Sequence, residues 1–335
     1  MKAVFIPALL ILFALPAAPA CAQRDATSAA ASDAYRTIIA GSTTALEANG
    51  ADAEARRSLV RALMETGQYE QAEQIADAGG AAFAKLRGDA LLARGKRADA
   101  ETAYRAALAA HAPDSATARL EIALLQYGRG QRAEAVRELE WFIPFYNNAP
   151  ALKADELVAI GRAVSALGVT DPQLFHDAVK AYEQAVQADR TSIDARVAEA
   201  ALFLDKFDSR QAGEIIRDAL AVEPGNPRVL LQQARATKFD GSDEALVIVD
   251  RALEVNPRLV PALVFRADLL AGQEDYRGAR EYLDRAFAID STNQDAIALH
   301  GAVAWLARDT RTYDNARARA NSLYSGSAVF LTKVA

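Results

Sequence analysis

Small apolar residues recur along this chain with a period of about 34 residues. In four successive stretches an alanine takes the same place, and a second alanine follows seven positions later, on the same face of a helix. The first alanines of these pairs are Ala178, Ala212, Ala245 and Ala279. The pattern predicts repeated helices whose small-residue face packs closely against a neighbouring helix.

Each repeat contains two predicted helices. A small residue, such as Ala234 or Ala267, lies near the middle of the first helix, and the paired alanines lie in the second. Pro224 and Pro257 end second helices because proline cannot continue the helical hydrogen-bond ladder. A helix pair of this kind has an apolar stripe that it can bury only against the next pair. We therefore expect one continuous core along a stack of pairs.

The turn between the two predicted helices often contains glycine followed by polar, basic or aromatic residues, as at Gly67 and Gly95. With small residues where the helices touch and proline after the second helix, the unit resembles the tetratricopeptide repeat, most clearly from Ala262 to Phe287. The resemblance implies an all-α fold, a right-handed superhelical solenoid of antiparallel helix pairs. We place about eight pairs at residues 53–80, 81–115, 116–150, 151–191, 192–226, 227–259, 260–293 and 294–326.

The repeats and their flanks divide the chain into five segments. We expect a signal peptide over 1–22, a polar tether over 23–32, a capping helix over 33–50, the array over 51–326 and the start of an incomplete helix over 327–335. The last segment has no partner helix and is too short to be stable alone. We therefore expect the native chain to continue past Ala335.

The first residues are typical of an export signal. Lys2 precedes an apolar stretch over residues 4–15, and Pro16 is followed by small residues up to Ala22. Two processing routes are open, because the small residues fit a signal-peptidase site, while Cys21 could instead be the lipidated first residue of a lipoprotein. Either route predicts an exported protein, periplasmic or secreted, whose only membrane attachment would be a lipid on Cys21.

Composition favours helices and argues against several functions. Hydrophobic residues make up 51% of the chain and aromatic residues only 7%, and the chain is rich in alanine, the best helix former. The net charge of −6 argues against nucleic-acid binding, which requires a basic face. We expect neither a nucleic-acid partner nor a small-molecule substrate.

Catalytic and metal-binding patterns are missing from the sequence. His111, His176 and His300 are 65 and 124 positions apart, so no two of them have the spacing of a zinc site on one helix. No Gly-x-Ser-x-Gly motif occurs, and the single cysteine lies in the export region. We therefore expect no catalytic residue, metal or cofactor, and no enzyme activity.

The first helices provide the candidate binding residues. In arrays of the family that this chain resembles, first helices line the concave face, so their side chains select the partner. The partner-binding candidates are Arg57, Arg61, Lys85, Tyr127, Arg162, Arg235, Lys238 and Trp305.

Three functional hypotheses follow. The first is a non-enzymatic scaffold of the bacterial envelope that holds a peptide or partner domain in its groove. The second is the N-terminal binding portion of a larger exported zinc peptidase, because the layout is similar to that of secreted bacterial tetratricopeptide repeat proteins with such a domain, notably at Leu299–Thr310. The third is a lipoprotein assembly factor for an outer-membrane machine.

Overall fold

The computed structural model describes residues 20–168, 172–324 and 328–334. Within these ranges the regular elements are helical and no strand occurs. Residues 1–19, most of the expected signal peptide, lie outside the described residues, as do 169–171 in the turn of the fourth predicted unit. None of the described helices is both long and apolar enough to cross a membrane.

The helices form an ordered stack of antiparallel pairs, numbered here as units 1 to 8. The elements are α1 (Ala20–Ala48); α2 (Ala53–Glu65) with α3 (Tyr69–Asp77); α4 (Ala84–Ala93) with α5 (Arg97–Ala109); α6 (Ser115–Gly128) with α7 (Arg132–Glu140) and the short α8 (Phe142–Asn148); α9 (Ala154–Leu167) with α10 (Pro172–Ala188); α11 (Ile193–Asp205) with α12 (Ser209–Val222); α13 (Pro227–Phe239) with α14 (Glu244–Val255); α15 (Val260–Gly272) with α16 (Tyr276–Ile289); α17 (Gln294–Leu306) with α18 (Thr310–Leu323); and α19 (Ala328–Val334). The all-α solenoid expected from the sequence is thus confirmed.

One segment differs from the sequence-based expectation. Residues 23–32, where we expected a tether, belong to α1, and Ser28 and Ala31 are buried. The physical reason is the run of alanines, which favours helix over an extended conformation. In unit 3 the second helix ends at Glu140, and α8 continues the chain with Phe142 buried.

Helix starts and turns follow local chemistry. Asp52, Ser192 and Asn293 each accept a hydrogen bond from a backbone N–H in the first turn of the following helix, which satisfies a donor that the helix itself cannot pair. Gly67 lies in the turn between the two helices of unit 1, and Gly95 lies in the corresponding turn of unit 2. Their φ angles are +73° and +71°, a conformation that favours glycine.

The repeated small residues form the helix contacts. Ala178, Ala212 and Ala279 are fully buried, which places the alanine pattern at the interfaces between helices. In unit 4 the first helix contributes Gly161, whose hydrogen faces the ring of Tyr182 in the second helix. Buried clusters follow one another from unit 1 to α19, so the core runs as a ribbon along the stack.

The stack curves until its beginning meets its later units. Helix α1 packs against α14, and Tyr35 of α1 lies in one buried cluster with Val255 of α14 and Ala62 of α2. Residues almost two hundred positions apart are therefore in contact, and the first helices of the units surround a central space.

Candidate partner-binding cavity

The space enclosed by the first helices is a cavity of about 600 Å³. Helices α2, α4, α6, α9 and α11 contribute its walls, and residues at or just before the starts of α13 and α15 complete it. The charged residues that line it are Arg57, Arg61, Glu65, Lys85, Asp89, Asp114, Glu121, Asp155, Arg162, Asp194 and Arg228. The cavity is therefore a charged space with both signs present, interrupted by apolar side chains.

Several of these charges are paired within the wall. Lys85 Nζ lies 2.8 Å from Asp89 Oδ2 on the same helix, one turn away. Arg162 Nη1 of α9 lies 2.6 Å from Glu121 Oε1 of α6, which joins neighbouring units. Burial raises the pKa of the Asp89 carboxyl, and the nearby Lys85 ammonium opposes that shift.

A second group of paired charges joins units that are distant in sequence. Arg228, at the start of α13, places Nε 2.8 Å from Glu65 Oε1 of α2 and Nη1 2.6 Å from Asp194 Oδ1 of α11. The Arg228 guanidinium holds the pKa of Asp194 well below its usual range, whereas burial raises the pKa of Glu65. This triad connects units 1, 5 and 6 across the cavity wall.

Two cations of the wall have no ion-pair partner among the described residues. Arg57 and Arg61 are one helical turn apart on α2 and both line the cavity. The Arg57 guanidinium lies 5.0 Å from the centre of the Phe83 ring, and its Nη1 is buried without a hydrogen-bond partner. The positive charge that the protein leaves available to an occupant is thus concentrated on α2.

Two carboxylates are similarly available. Asp114 and Asp155 line the cavity at the starts of α6 and α9, and neither forms an ion pair with a described residue. The cavity therefore offers a positive wall on α2 and negative groups on α6 and α9. An occupant that carries both charges fits this arrangement better than a uniformly charged one.

The sequence-based candidates divide into two groups. Arg57, Arg61, Lys85 and Arg162 all line the cavity. The other four candidates lie elsewhere and do not line it: Tyr127, Arg235, Lys238 and Trp305.

The four residues of the second group lie at other places on their helices. Arg235 Nη2 lies 3.3 Å from Asp205 Oδ1 of the preceding unit, so its charge is paired. Tyr127 and Lys238 lie in the last turns of α6 and α13, and Trp305 lies in the last turn of α17 and is 57% exposed.

Contacts between early and late units close the cavity on one side, and we call these contacts the seam. The seam joins α1 and the turns of units 1 and 2 to the loops over residues 223–228, 256–258 and 290–292. At its first point the Tyr35 hydroxyl donates to Glu223, and Asn226 Nδ2 donates to the Tyr35 hydroxyl over 3.2 Å.

The middle of the seam is its densest part. Asn256 Nδ2 donates to the carbonyl oxygen of Met64 over 3.1 Å, and the Tyr69 hydroxyl donates to the carbonyl oxygen of Arg258 over 3.2 Å. Arg258 also binds Glu70 through two contacts of 2.5 and 2.9 Å. The Arg258 guanidinium lowers the pKa of Glu70 to about 2.

The last point of the seam pairs Arg97 of unit 2 with the loop after unit 7. Arg97 Nη1 lies 2.7 Å from Asp290 Oδ1 and also donates to the Thr292 hydroxyl. Burial acts to raise the pKa of Asp290, but the hydrogen bond and charge of Arg97 outweigh it, so the pKa is lowered. Sequence reasoning missed the seam because its residues are distant in the chain and belong to no motif.

Within the described residues, no group of three or more His, Cys, Asp or Glu side chains is positioned to hold a metal ion. The charged residues of the cavity either form ion pairs with one another or have no ion-pair partner among the described residues. The arrangement supports binding by charge and shape.

Comparison with known proteins agrees with this architecture. Residues 29–95 match the family model described as tetratricopeptide repeat. A tetratricopeptide repeat protein from Parabacteroides merdae is 16% identical, with a TM-score of 0.50 over 75% of this chain and 96% of that one. A chain in the crystal structure of the APC/C heterotetramer Cut9–Hcn1 is 12% identical, with a TM-score of 0.58 over 86% of this chain and 56% of that one. Comparison with curated proteins gives no match.

These similarities, together with the stacked helix pairs, establish the architecture, and the fold is one that supports protein–protein interaction. Residues 29–95 thus match the tetratricopeptide repeat family in sequence, and the described helices have the fold of a tetratricopeptide repeat solenoid.

Proposed function

We propose that this protein is a non-enzymatic scaffold that holds a segment of a partner protein in its central cavity. The observation that carries the proposal is the pair Arg57 and Arg61, which line the cavity and have no ion-pair partner among the described residues. Arg57 Nη1 is buried without a hydrogen-bond partner, and Arg61 is exposed one turn away, so an occupant with a negative group gains binding free energy by pairing with them.

The size of the cavity favours a peptide segment over a folded domain. A helix with its side chains is 10–12 Å wide and rises 5.4 Å per turn, so one turn fills roughly 500 Å³. A cavity of about 600 Å³ therefore holds about one helical turn, or a few residues of extended chain. The apolar lining residues Leu86, Val158 and Val197 provide contacts for its uncharged side chains.

We further propose that the protein works in the cell envelope after export. The support is the pattern of Lys2, the apolar stretch and the small residues that follow it. Fractionation of cells that produce the protein and its Cys21→Ala variant tests the anchor. Loss of the variant from the membrane fraction supports lipidation, whereas a soluble periplasmic location of both proteins contradicts it.

Affinity capture with charge-reversed variants tests the cavity. The protein, the double variant Arg57→Glu/Arg61→Glu and the control Arg210→Glu are used to capture partners from envelope extract, followed by mass spectrometry. Arg210 suits the control because its side chain is 74% exposed and, among the described residues, its one ion pair is with Glu214 of its own helix. We expect partners that the protein and the control retain and the double variant loses by at least tenfold.

The same capture contradicts the proposal if the double variant retains every partner. Circular dichroism and hydrogen exchange on the double variant test whether it remains folded, and the capture is interpreted only if it does. Partners that survive the charge reversal would have to bind the outer surface, and the cavity would then not be the site.

A further inference from the structure

The seam and the stack are two different kinds of interface. Within the stack each unit packs on its neighbours through buried apolar clusters, such as the cluster around Leu263 and Leu283 in units 6 to 8. The seam instead joins units that are not neighbours, and it involves the edges of helices and the loops between them. Separating the seam would leave every neighbouring contact in place.

The seam is also largely polar. Its buried apolar part is small, with Ala31, Tyr35, Ala62 and Val255 as the buried members. The remainder consists of hydrogen bonds and ion pairs, including the triad centred on Arg228, whose side chain is 35% exposed. Ion pairs that water reaches contribute little net free energy, because solvent screens the attraction and ordering two long side chains costs entropy. The free energy that holds the seam is therefore small beside that of the stack.

We propose that the seam is a clasp that opens as one unit, separating the early units from the later ones while the stack of helix pairs stays intact. The closed state encloses the cavity, and the open state exposes the first helices to a partner that approaches from the side.

Occupancy of the cavity is linked to this equilibrium by the residues that the two share. Glu65, Tyr69, Arg228 and Asn256 line the cavity and form seam contacts. An occupant that touches both sides of the seam has more contacts in the closed state, and it must shift the clasp towards closure. The clasp would then close around its occupant.

Glycine at the seam turns allows a specific test. A Cβ atom at Gly67 would lie 2.5 Å from Asn256 Oδ1 and 3.3 Å from Arg258 Cβ, across the seam. Gly241 is a matched control, because its φ of +77° is close to the +73° of Gly67 while a Cβ there would meet nothing within 4 Å. Gly67→Ala and Gly241→Ala therefore carry the same backbone strain, and only the first disturbs the seam.

Hydrogen exchange and small-angle X-ray scattering are measured on the full chain and both variants. For Gly67→Ala we expect exchange at least tenfold faster in α1 and in the loop over residues 256–258, with a larger radius of gyration. We expect the amides of α9 and α11 to exchange as in the unaltered protein. For Gly241→Ala the change should be confined to the turn between α13 and α14.

Two results overturn the proposal. Equal exchange at the seam in both variants would show that the contact at Gly67 does not hold it closed. Faster exchange spread through α9 and α11 would show that the seam cannot open without unfolding the stack.

A milder pair of variants repeats the test if Gly67→Ala fails to fold. Arg258→Ala removes the seam pair with Glu70, and Arg266→Ala removes a pair with Asp250 within the stack. We expect seam exchange to rise in Arg258→Ala only. The same rise in Arg266→Ala, or none in either, would contradict the clasp.

Discussion

Adding one methyl group at Gly161 should destabilise the protein, although alanine is the better helix former. Gly161 lies in the middle of α9, where the ring of Tyr182 from α10 rests on its backbone. A Cβ atom there would lie 2.8 Å from Cδ1 and from Cζ of that ring. Tyr182 is only 2% exposed, so the ring has no free space into which it can move.

Two effects of opposite sign decide the magnitude. Alanine in place of glycine inside a helix stabilises by about 1 kcal/mol. Forcing an extra methyl group into a packed core costs about 1–3 kcal/mol, and the buried ring places Gly161 in the upper half of that range. The net expectation is a loss of roughly 1–2 kcal/mol. Gly213 in α12 is the control, because a Cβ there meets nothing within 4 Å and Gly213→Ala should stabilise by about 1 kcal/mol.

Thermal unfolding followed by circular dichroism measures both variants. We expect Gly161→Ala to lower Tm by a few degrees and Gly213→Ala to raise it. The decisive result is that the two variants change Tm in opposite directions. This comparison does not require two-state unfolding, which arrays of repeats need not follow. A rise in Tm for both variants would refute the packing of Tyr182 against α9.

Three further substitutions test the core, a buried carboxyl and the last helix. Ala279 is fully buried, so Ala279→Arg should cost more than roughly 3 kcal/mol. It should also remove hydrogen-exchange protection around residues 260–293. Unchanged protection there would contradict the placement of the repeated alanines at helix contacts. Burial and the charge of Glu183 raise the pKa of Glu199 to about 7. The folded protein therefore binds the Glu199 proton more tightly than the unfolded chain does. The stability that this provides is complete below the pKa of the unfolded chain and is lost as the pH rises through about 7. Glu199→Gln should therefore raise Tm at pH 8 and not at pH 4, and an equal change at both values would refute the assignment. Phe330 of α19 is 3% exposed and lies against Gly301. Phe330→Ala should therefore cost about 3–5 kcal/mol locally and speed hydrogen exchange in α19. Unchanged exchange would show that the packing of Phe330 does not hold α19 in place.

Local and neighbouring contacts could be predicted from the sequence because the repeat encodes them. Ala178 and Ala212 recur at a fixed spacing, and a recurring small residue on one helix face has a single physical use, a close helix contact. Pro224 similarly marks the end of a second helix. The array, its register and the positions of Arg57 and Arg61 on a first helix follow from such signals.

The contact between early and late units at the seam could not be predicted in this way. It depends on the sum of small rotations between successive units, and each rotation is set by side-chain packing that no motif records. Arg228 and Asn256 look like ordinary residues at helix starts and ends, and only the curvature brings them to Glu65 and Met64. Trp305 likewise lies in a first helix, but at its exposed end.

Site-specific photo-crosslinking tests most directly whether the central cavity holds the partner. A photoreactive phenylalanine is placed at Val197, which lines the cavity, and in a control protein at Val222, which is 38% exposed at the end of α12 and does not line it. Irradiation in cells followed by mass spectrometry identifies the cross-linked segment. We expect Val197 to cross-link to one short segment of a partner protein and Val222 not to do so. Cross-links to the same partner from Val222 and none from Val197 would contradict it.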